Sequence, residues 1–273
     1  MPDFEALERD CLWLRNEIVD IIYNAGSGHS GGSLSAVEII WTLYSEILNV
    51  RPDDPRWPDR DRFILSKGHA APALYITLAK KGFFPEEELK TLRRTGSILQ
   101  GHPDMRKTPG VEMSTGSLGM GASVGVGMAL AARLAGKDYR VYVLVGDGEL
   151  QEGQNWEAFM AAAKWELSNL VVIVDRNHVQ LDGTTDEIMP LLDVAAKIRS
   201  FGWDVRECDG HGCESVYDAV CWGREAEAGP RAVVAHTVKG KGVSFMEGQA
   251  AWHGKRIEPD HYQTAKAELR EGC

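Results

Sequence analysis

The sequence predicts an α/β fold, a parallel sheet with helices on both faces, and three observations carry that prediction. Apolar runs at 141–145, 170–174 and 232–236 are continuous rather than alternating, as in strands buried on both sides. Helical patterns separate these runs from Ser114 onward. The runs stop at turn-forming residues, Gly146-Asp147-Gly148 and Asp175-Arg176-Asn177, and parallel sheets bind ligands outside such strand ends.

The elements follow in order. Leu7, Cys11, Leu14, Ile18 and Ile21 recur at helical spacing and stop at Gly26, predicting an amphipathic first helix. Gly26-Ser-Gly-His-Ser-Gly-Gly reads as a loop, and Ser35 with Glu38 as a capping box opening a helix to about residue 48. A short strand is expected at 62–66 and a helix at 70–80. Pro85 with Glu86, Glu87 and Glu88 suits the first turn of another helix. Further helices are predicted at 118–134, 155–165, 191–200 and 214–227, with a strand near 203–205. Ser117, Gly121 and Gly125, four residues apart, predict a close helix crossing within or between subunits.

Bulk properties narrow the function classes. With 273 residues and 44% hydrophobic content the chain can bury a full core. A net charge of −10 argues against a nucleic-acid surface but leaves room for anion binding through a metal ion. There is no apolar run long enough for a membrane span and no signal-peptide pattern, so a cytoplasmic location is expected. Cys11, Cys208, Cys213, Cys221 and Cys273 are odd in number and lack paired spacing. Reduced thiols are favoured over a zinc site at Cys208, His211 and Cys213.

The two strand-end turns suggest chemistry. If their strands are neighbours, Asp147 offers a carboxylate, Asn177 an amide oxygen and Val179 a backbone carbonyl. Three such oxygens, completed by two diphosphate oxygens and a water, would hold Mg2+ or Ca2+. Gly148 leaves the backbone bare at the start of the next helix, where an anion is favoured.

These blocks resemble the thiamine-diphosphate enzymes, and among them transketolase. Gly28-His29-Ser-Gly-Gly-Ser, Leu65-Ser-Lys-Gly-His69, Gly101-His102-Pro103, Thr115-Gly-Ser-Leu-Gly119, Gly153-Gln-Asn-Trp-Glu157 and Thr237-Val-Lys-Gly-Lys-Gly, followed by His253, match in order and spacing. Ser30-Gly-Gly-Ser-Leu-Ser, Met120 and His178 depart from the usual pattern. The resemblance implies a single thiamine-diphosphate (PP) domain over 1–273 with a C-terminal extension. The pyrimidine-binding and C-terminal domains, and the glutamate that activates the cofactor, are then expected on a partner chain in an α2β2 assembly.

By the same resemblance, Asp147, Asn177 and the Val179 carbonyl bind Mg2+ or Ca2+. His69, Gly116, Ser117, Leu118, Gly148, Glu149, Asn177 and His253 contact thiamine diphosphate. His29, His69, His102 and His253 line the reaction channel, and Glu152 and Glu157 lie between active sites. His178, His211 and His236 are read as structural. The implied reaction is transfer of a two-carbon ketol unit from a ketose, commonly phosphorylated, to an aldose. The alternatives are a specialised enzyme with an unusual sugar or carrier-bound acceptor, and a non-catalytic scaffold subunit.

Overall fold

In the computed structural model, which describes residues 1–271, five parallel strands run in the order β1-β2-β3-β5-β4. They are β1 (Arg62–Leu65), β2 (Val141–Gly146), β3 (Leu170–Arg176), β4 (Asp204–Asp209) and β5 (Arg231–His236). β2 and β3 are direct neighbours, Gly146 in register with Asp175. β3 pairs in turn with β5, Arg176 opposite His236.

The pleat sorts the strand side chains into two apolar layers. Tyr142, Leu144, Val171, Ile173 and Val233 face a core built with α1 (Phe4–Ala25), α2 (Ser30–Leu34), α3 (Val37–Thr42) and α4 (Ala71–Lys80). Val141, Val143, Val145, Leu170, Val172 and Val174 face α5 (Met120–Leu134) and α6 (Gly153–Lys164). α7 (Thr185–Ile188) and α8 (Val194–Ser200) follow β3, and Val194 and Ile198 of α8 join this second core. α9 (Cys213–Arg224) packs Val216 and Val220 into the first core, and α10 (Pro259–Glu271) lays Ala265 and Leu269 against it. Helices on both faces of a parallel sheet are the predicted class.

The first helix forms as expected. Asp3 caps it by accepting from the Ala6 N–H at 3.0 Å, and Gly26 ends it in the left-handed region at φ 67°; each such cap contributes about 1 kcal/mol. Three local expectations need correction. Residues 30–32 of the predicted glycine loop open α2, which runs on to Leu34, and Ser30, Gly31, Gly32, Ser33 and Leu34 are all buried there. Ser35 and Glu38 do not make a capping box. Ser35 Oγ donates to Asp175 at 2.6 Å, and Glu38 turns inward to Arg15 and His211. The segment after Pro85 is a short 3₁₀ turn, Glu86–Thr91.

The small-residue pattern has a different purpose from a helix crossing. Ser117 precedes α5, and α5 lies directly on the sheet. A Cβ at Gly125 would come within 2.5 Å of Val143 Cγ2. His211 is held on both nitrogens, Nδ1 by Glu38 at 3.1 Å and Nε2 by the Val238 N–H at 2.8 Å, so it has no free nitrogen for zinc. Cys11, Cys208, Cys213 and Cys221 are free thiols; Cys273 lies outside the described residues. Among the described residues no helix is long and apolar enough to cross a membrane.

Gly125→Ala tests the packing of α5 on β2. Alanine favours helix by about 1 kcal/mol, yet the rigid Val143 side chain leaves no room for its methyl group. Urea denaturation is expected to show a net loss of about 1–3 kcal/mol.

Candidate active site

The carboxyl ends of β1, β2, β3 and β5 converge on one place, and a buried ion pair fastens them together. Asp175, near the end of β3, accepts from Lys67 just beyond β1, from Thr237 just beyond β5, and from Ser35 at 2.6 Å. Lys67 Nζ also donates to the Gly32 carbonyl at 2.9 Å. Both charged side chains are 1% exposed or less. Burial pushes the Asp175 carboxyl up, but Lys67 and the two hydroxyl groups outweigh it and hold the carboxyl below its ordinary range.

Above this pair lies a cavity of about 130 Å3 lined by residues that follow β1, β2, β3 and β5, together with Leu118 and His253; they include His69, Asp147, Asn177 and Lys239. Asp147 follows β2 and is 1% exposed. Its Oδ1 accepts from the Gly148 N–H at 2.7 Å, and its Oδ2 accepts from the His178 N–H at 2.6 Å and from Arg176 at 3.1 Å. Burial, then the charge of Asp175, raises its carboxyl to about 6 despite Arg176. A group in that state is stabilised by added positive charge. The structure places Asn177 and Val179 on the adjoining turn, where Asn177 Oδ1 accepts from the Val179 N–H at 3.1 Å. His178 takes the left-handed conformation, φ 64°, at the centre of this turn.

Gly148 lies where a Cβ would stand 2.7 Å from the Cβ of Gln180, so the turn needs bare backbone. Glu149 lines the same cavity, but its carboxylate is engaged inside the protein. It accepts from the Gly119 N–H at 2.9 Å, the Gly146 N–H at 3.1 Å and the Ser66 hydroxyl. It thereby ties the 116–119 segment to the end of β2. Gly68 brings that segment close, since a Cβ there would lie 2.8 Å from the Gly116 amide nitrogen. Leu118 reaches the cavity wall, whereas Gly116 and Ser117 sit beside it.

The four predicted histidines form one cluster. Ring centres of His29 lie 5.7 Å from His69, 5.6 Å from His102 and 5.2 Å from His253, and His69 lies 4.8 Å from His253. Burial first and neighbouring cations second depress them: His29 to about 4, His253 to about 3, and His69 and His102 in the same direction. All four are neutral at physiological pH, able both to give and to take a proton. Glu152 and Glu157 stand on the exposed surface of the chain, away from the cavity.

Sequence reasoning singled out neither Lys67 nor Lys239. Lys239 is 2% exposed, donates to the Val179 carbonyl at 3.1 Å and to His253 Nδ1 at 3.1 Å, and is lowered to about 8 by burial and then by Lys67. Both lysines stand in the blocks Ser66-Lys67-Gly68-His69 and Val238-Lys239-Gly240. A lysine two or three residues beyond an apolar strand and directly before a glycine was the available signal.

Fold and site together define the diphosphate-binding domain of a thiamine-diphosphate enzyme. The transketolase thiamine-diphosphate-binding-domain family matches residues 10–270. One chain of the apulose-4-phosphate transketolase of Phocaeicola vulgatus is 45% identical over 267 residues, covering 98% of this chain and 95% of its own length. One chain of the 6-deoxy-6-sulfo-D-fructose transketolase of a Clostridium species is 45% identical over 268 residues, covering 98% of each chain. The crystal structure of Campylobacter jejuni transketolase superposes with a TM-score of 0.93 at 31% identity, covering 98% of this chain and 43% of that one. The chain belongs to the transketolase family; it spans less than half the length of that solved enzyme.

Two measurements check the electrostatics. Asp175→Asn leaves Lys67 buried without its counter-charge and is expected to cost about 3–5 kcal/mol in denaturant unfolding. The Lys67→Met/Asp175→Leu double variant is expected to be more stable than either single variant, and equal or greater loss in the double would remove the ion pair as the cause. The second concerns pH. An unfolded histidine titrates near 6.5, whereas His29 titrates at about 4 in the folded chain. The stability gained from a neutral His29 is therefore complete above about pH 6.5 and is lost as pH falls toward 4. Thermal midpoints between pH 7.5 and 5 are expected to fall less steeply in His29→Gln than in the native chain.

Proposed function

We propose that this chain is the diphosphate-binding subunit of a two-chain transketolase-type enzyme whose sugar substrate is one of the less common kinds. In this reading residues 1–273 are a single PP domain with a C-terminal extension. A second chain brings the pyrimidine-binding and C-terminal domains, most simply as α2β2. The observation that carries the reading is the gathering of an oxygen-donor set, a buried lysine and a cluster of neutral imidazoles around one cavity. The relatives that match end to end are named as transketolase subunits for apulose 4-phosphate and for 6-deoxy-6-sulfo-D-fructose. Both sugars are ketoses, the donor class in ketol transfer, so those names favour an unusual sugar over transfer among ordinary sugar phosphates.

When bound, thiamine diphosphate supplies a carbanion equivalent able to break and form a carbon–carbon bond beside a carbonyl. The residues present fit it. The Asp147 carboxylate, the Asn177 amide oxygen and the Val179 carbonyl are hard oxygen donors of the kind Mg2+ or Ca2+ prefers. The Asp147 carboxyl is raised by burial and then by the charge of Asp175, with Arg176 offsetting part of it, so an added cation would stabilise its charged form. Lys239 adds a cation for the diphosphate, Gly148 lets phosphate approach the backbone, and Leu118 offers an apolar wall. His69 and His253 border both the cofactor space and the sugar path, with His29 and His102 farther along it. As neutral rings they hydrogen-bond sugar hydroxyls and carry protons as alkoxides form and collapse. Gly116 and Ser117 complete the segment that Glu149 positions. Glu152 and Glu157, exposed here, are assigned to the contact between active sites, where adjacent acids can share a proton.

Co-expression with the second chain, followed by a cofactor-dependent ketol-transfer assay, tests the whole reading. Asp147→Ala is expected to lower transfer by more than about a hundredfold, since even groups supporting a metal ligand cost 10–100-fold. Calorimetric titration with thiamine diphosphate and Mg2+ is expected to show binding lost in parallel. Activity surviving the substitution would remove the metal assignment. Efficient use of ribose 5-phosphate, with no turnover of branched or sulfonated sugars, would return the substrate to the ordinary class.

A further inference from the structure

At the open end of the histidine cluster, Arg93 holds an unusual position. Its backbone is left-handed, φ 62°, although it is not glycine, and such conformations persist where surrounding contacts fix them. Here its N–H donates to the Leu99 carbonyl at 2.9 Å, closing the 93–99 loop. The guanidinium turns back over the glycine-flanked His102 loop. A Cβ at Gly101 would stand 3.1 Å from the guanidinium carbon, so a side chain there would press on the guanidinium. The guanidinium then donates to Ser27 Oγ at 3.3 Å and meets His29 Nδ1 at 3.3 Å.

That last contact has one chemically permitted form. A guanidinium carries only donors, so Nδ1 of His29 must offer its lone pair. A neutral imidazole has one proton, and it is left on Nε2. The Cδ2–Nε2 edge faces Gly254, the residue that follows His253, where a Cβ would lie 3.7 Å from Nε2 and 3.6 Å from Cδ2. His253 is the ring nearest to His29.

We propose that Arg93 is a positioning residue that locks His29 as the Nε2–H tautomer, so that the ring presents an N–H donor to the sugar path. This deepens the proposed function and rests on it for what the donor acts upon; the tautomer itself does not depend on that reading. The depressed titration of His29, set by burial and then by Arg93, agrees with a ring that stays neutral while tautomerically fixed. With the tautomer fixed in advance, a hydroxyl or alkoxide oxygen arriving in the channel meets a donor without a prior proton shift. The Arg93 fork also sets the ring plane, because its two donors reach Ser27 and His29 together.

The test uses the full chain labelled with 15N-histidine and two-bond 1H–15N correlation spectra, with His29 assigned by its loss in His29→Gln. The expected native pattern is a single neutral Nε2–H tautomer for His29 throughout pH 6–8. In Arg93→Met, which keeps length and removes every donor, the His29 nitrogens are expected to move to averaged positions of mixed tautomers. Arg93→Lys, again a donor only, is expected to restore much of the native pattern. A native His29 that is Nδ1–H, or already mixed, overturns the proposal. So does a folded Arg93→Met whose His29 pattern is unchanged. The His211 pattern, fixed by Glu38 and Val238, reports whether the variant is folded, and the native spectrum decides even where it is not. In the assembled enzyme Arg93→Met is expected to lower kcat about tenfold, a fraction of a full acid–base contribution, with a smaller change in KM and partial rescue in Arg93→Lys. A locked native tautomer in a chain that, with its second subunit, moves no ketol unit would sink the functional reading and leave the tautomer assignment standing.

Discussion

The buried pair of Lys67 and Asp175 is the constraint on which the site depends. Four separate pieces of chain end near it: the loop after β1, the turn into α3, the end of β3 and the loop after β5. None of them is held there by apolar packing alone, because each presents a polar group inward. A charge with almost no exposure is tolerable only when fully engaged. Asp175 meets that condition by accepting from an ammonium and two hydroxyls, and Lys67 by reaching a carbonyl as well as the carboxylate. Removing either partner would leave the other stranded. The pair thus converts four loop ends into one rigid floor, and the residues that line the cavity are carried on those same loops.

A chain of net charge −10 nonetheless builds a place suited to an anion. The acidic excess lies on the outer surface, in residues such as Glu86, Glu87 and Glu88, where solvent screens it. Inside, Lys67 is neutralised by Asp175, Arg176 offsets Asp147, and Lys239 meets only neutral partners, the Val179 carbonyl and His253. Lys239 is therefore a buried cation with charge to offer an incoming ligand. Net charge says little about such a site, since short-range pairing in a low-dielectric interior outweighs the distant surface field.

How much of this could be read from the sequence depended on which physical signal each residue leaves there. The central strands were legible because burial on both faces makes them apolar throughout. β4 was located only at its start, since Asp204-Val-Arg-Glu-Cys-Asp carries the charges of an edge strand and hides the apolar run. Asp147, Asn177 and the four histidines were legible because glycines and strand ends frame them. Ser35 and Glu38 misled, because a capping pattern describes local partners while both side chains have distant ones, Asp175 and Arg15. Lys67, Lys239 and Asp175 left no periodic trace. Their importance lies in contacts across long stretches of sequence, and only the folded sheet makes those visible. The spaced glycines of α5 were rightly read as close approach and wrongly assigned a helix as the neighbour.

The histidine cluster follows from the same electrostatics. Rings packed 4.8–5.7 Å apart would repel one another if protonated, and Lys67, Lys239 and Arg93 add further positive charge nearby. The field that suits the cavity to an anion therefore also keeps its imidazoles neutral. A neutral ring can accept through one nitrogen and donate through the other, which an imidazolium cannot do. Sugar hydroxyls need both, and a ketol unit changes hands by losing a proton at one oxygen and gaining one at another. Cations that would be a liability beside a single general base thus serve here as fixed donors: Arg93 and Lys239 take up Nδ1 of His29 and His253 and leave those neutral rings to donate through Nε2.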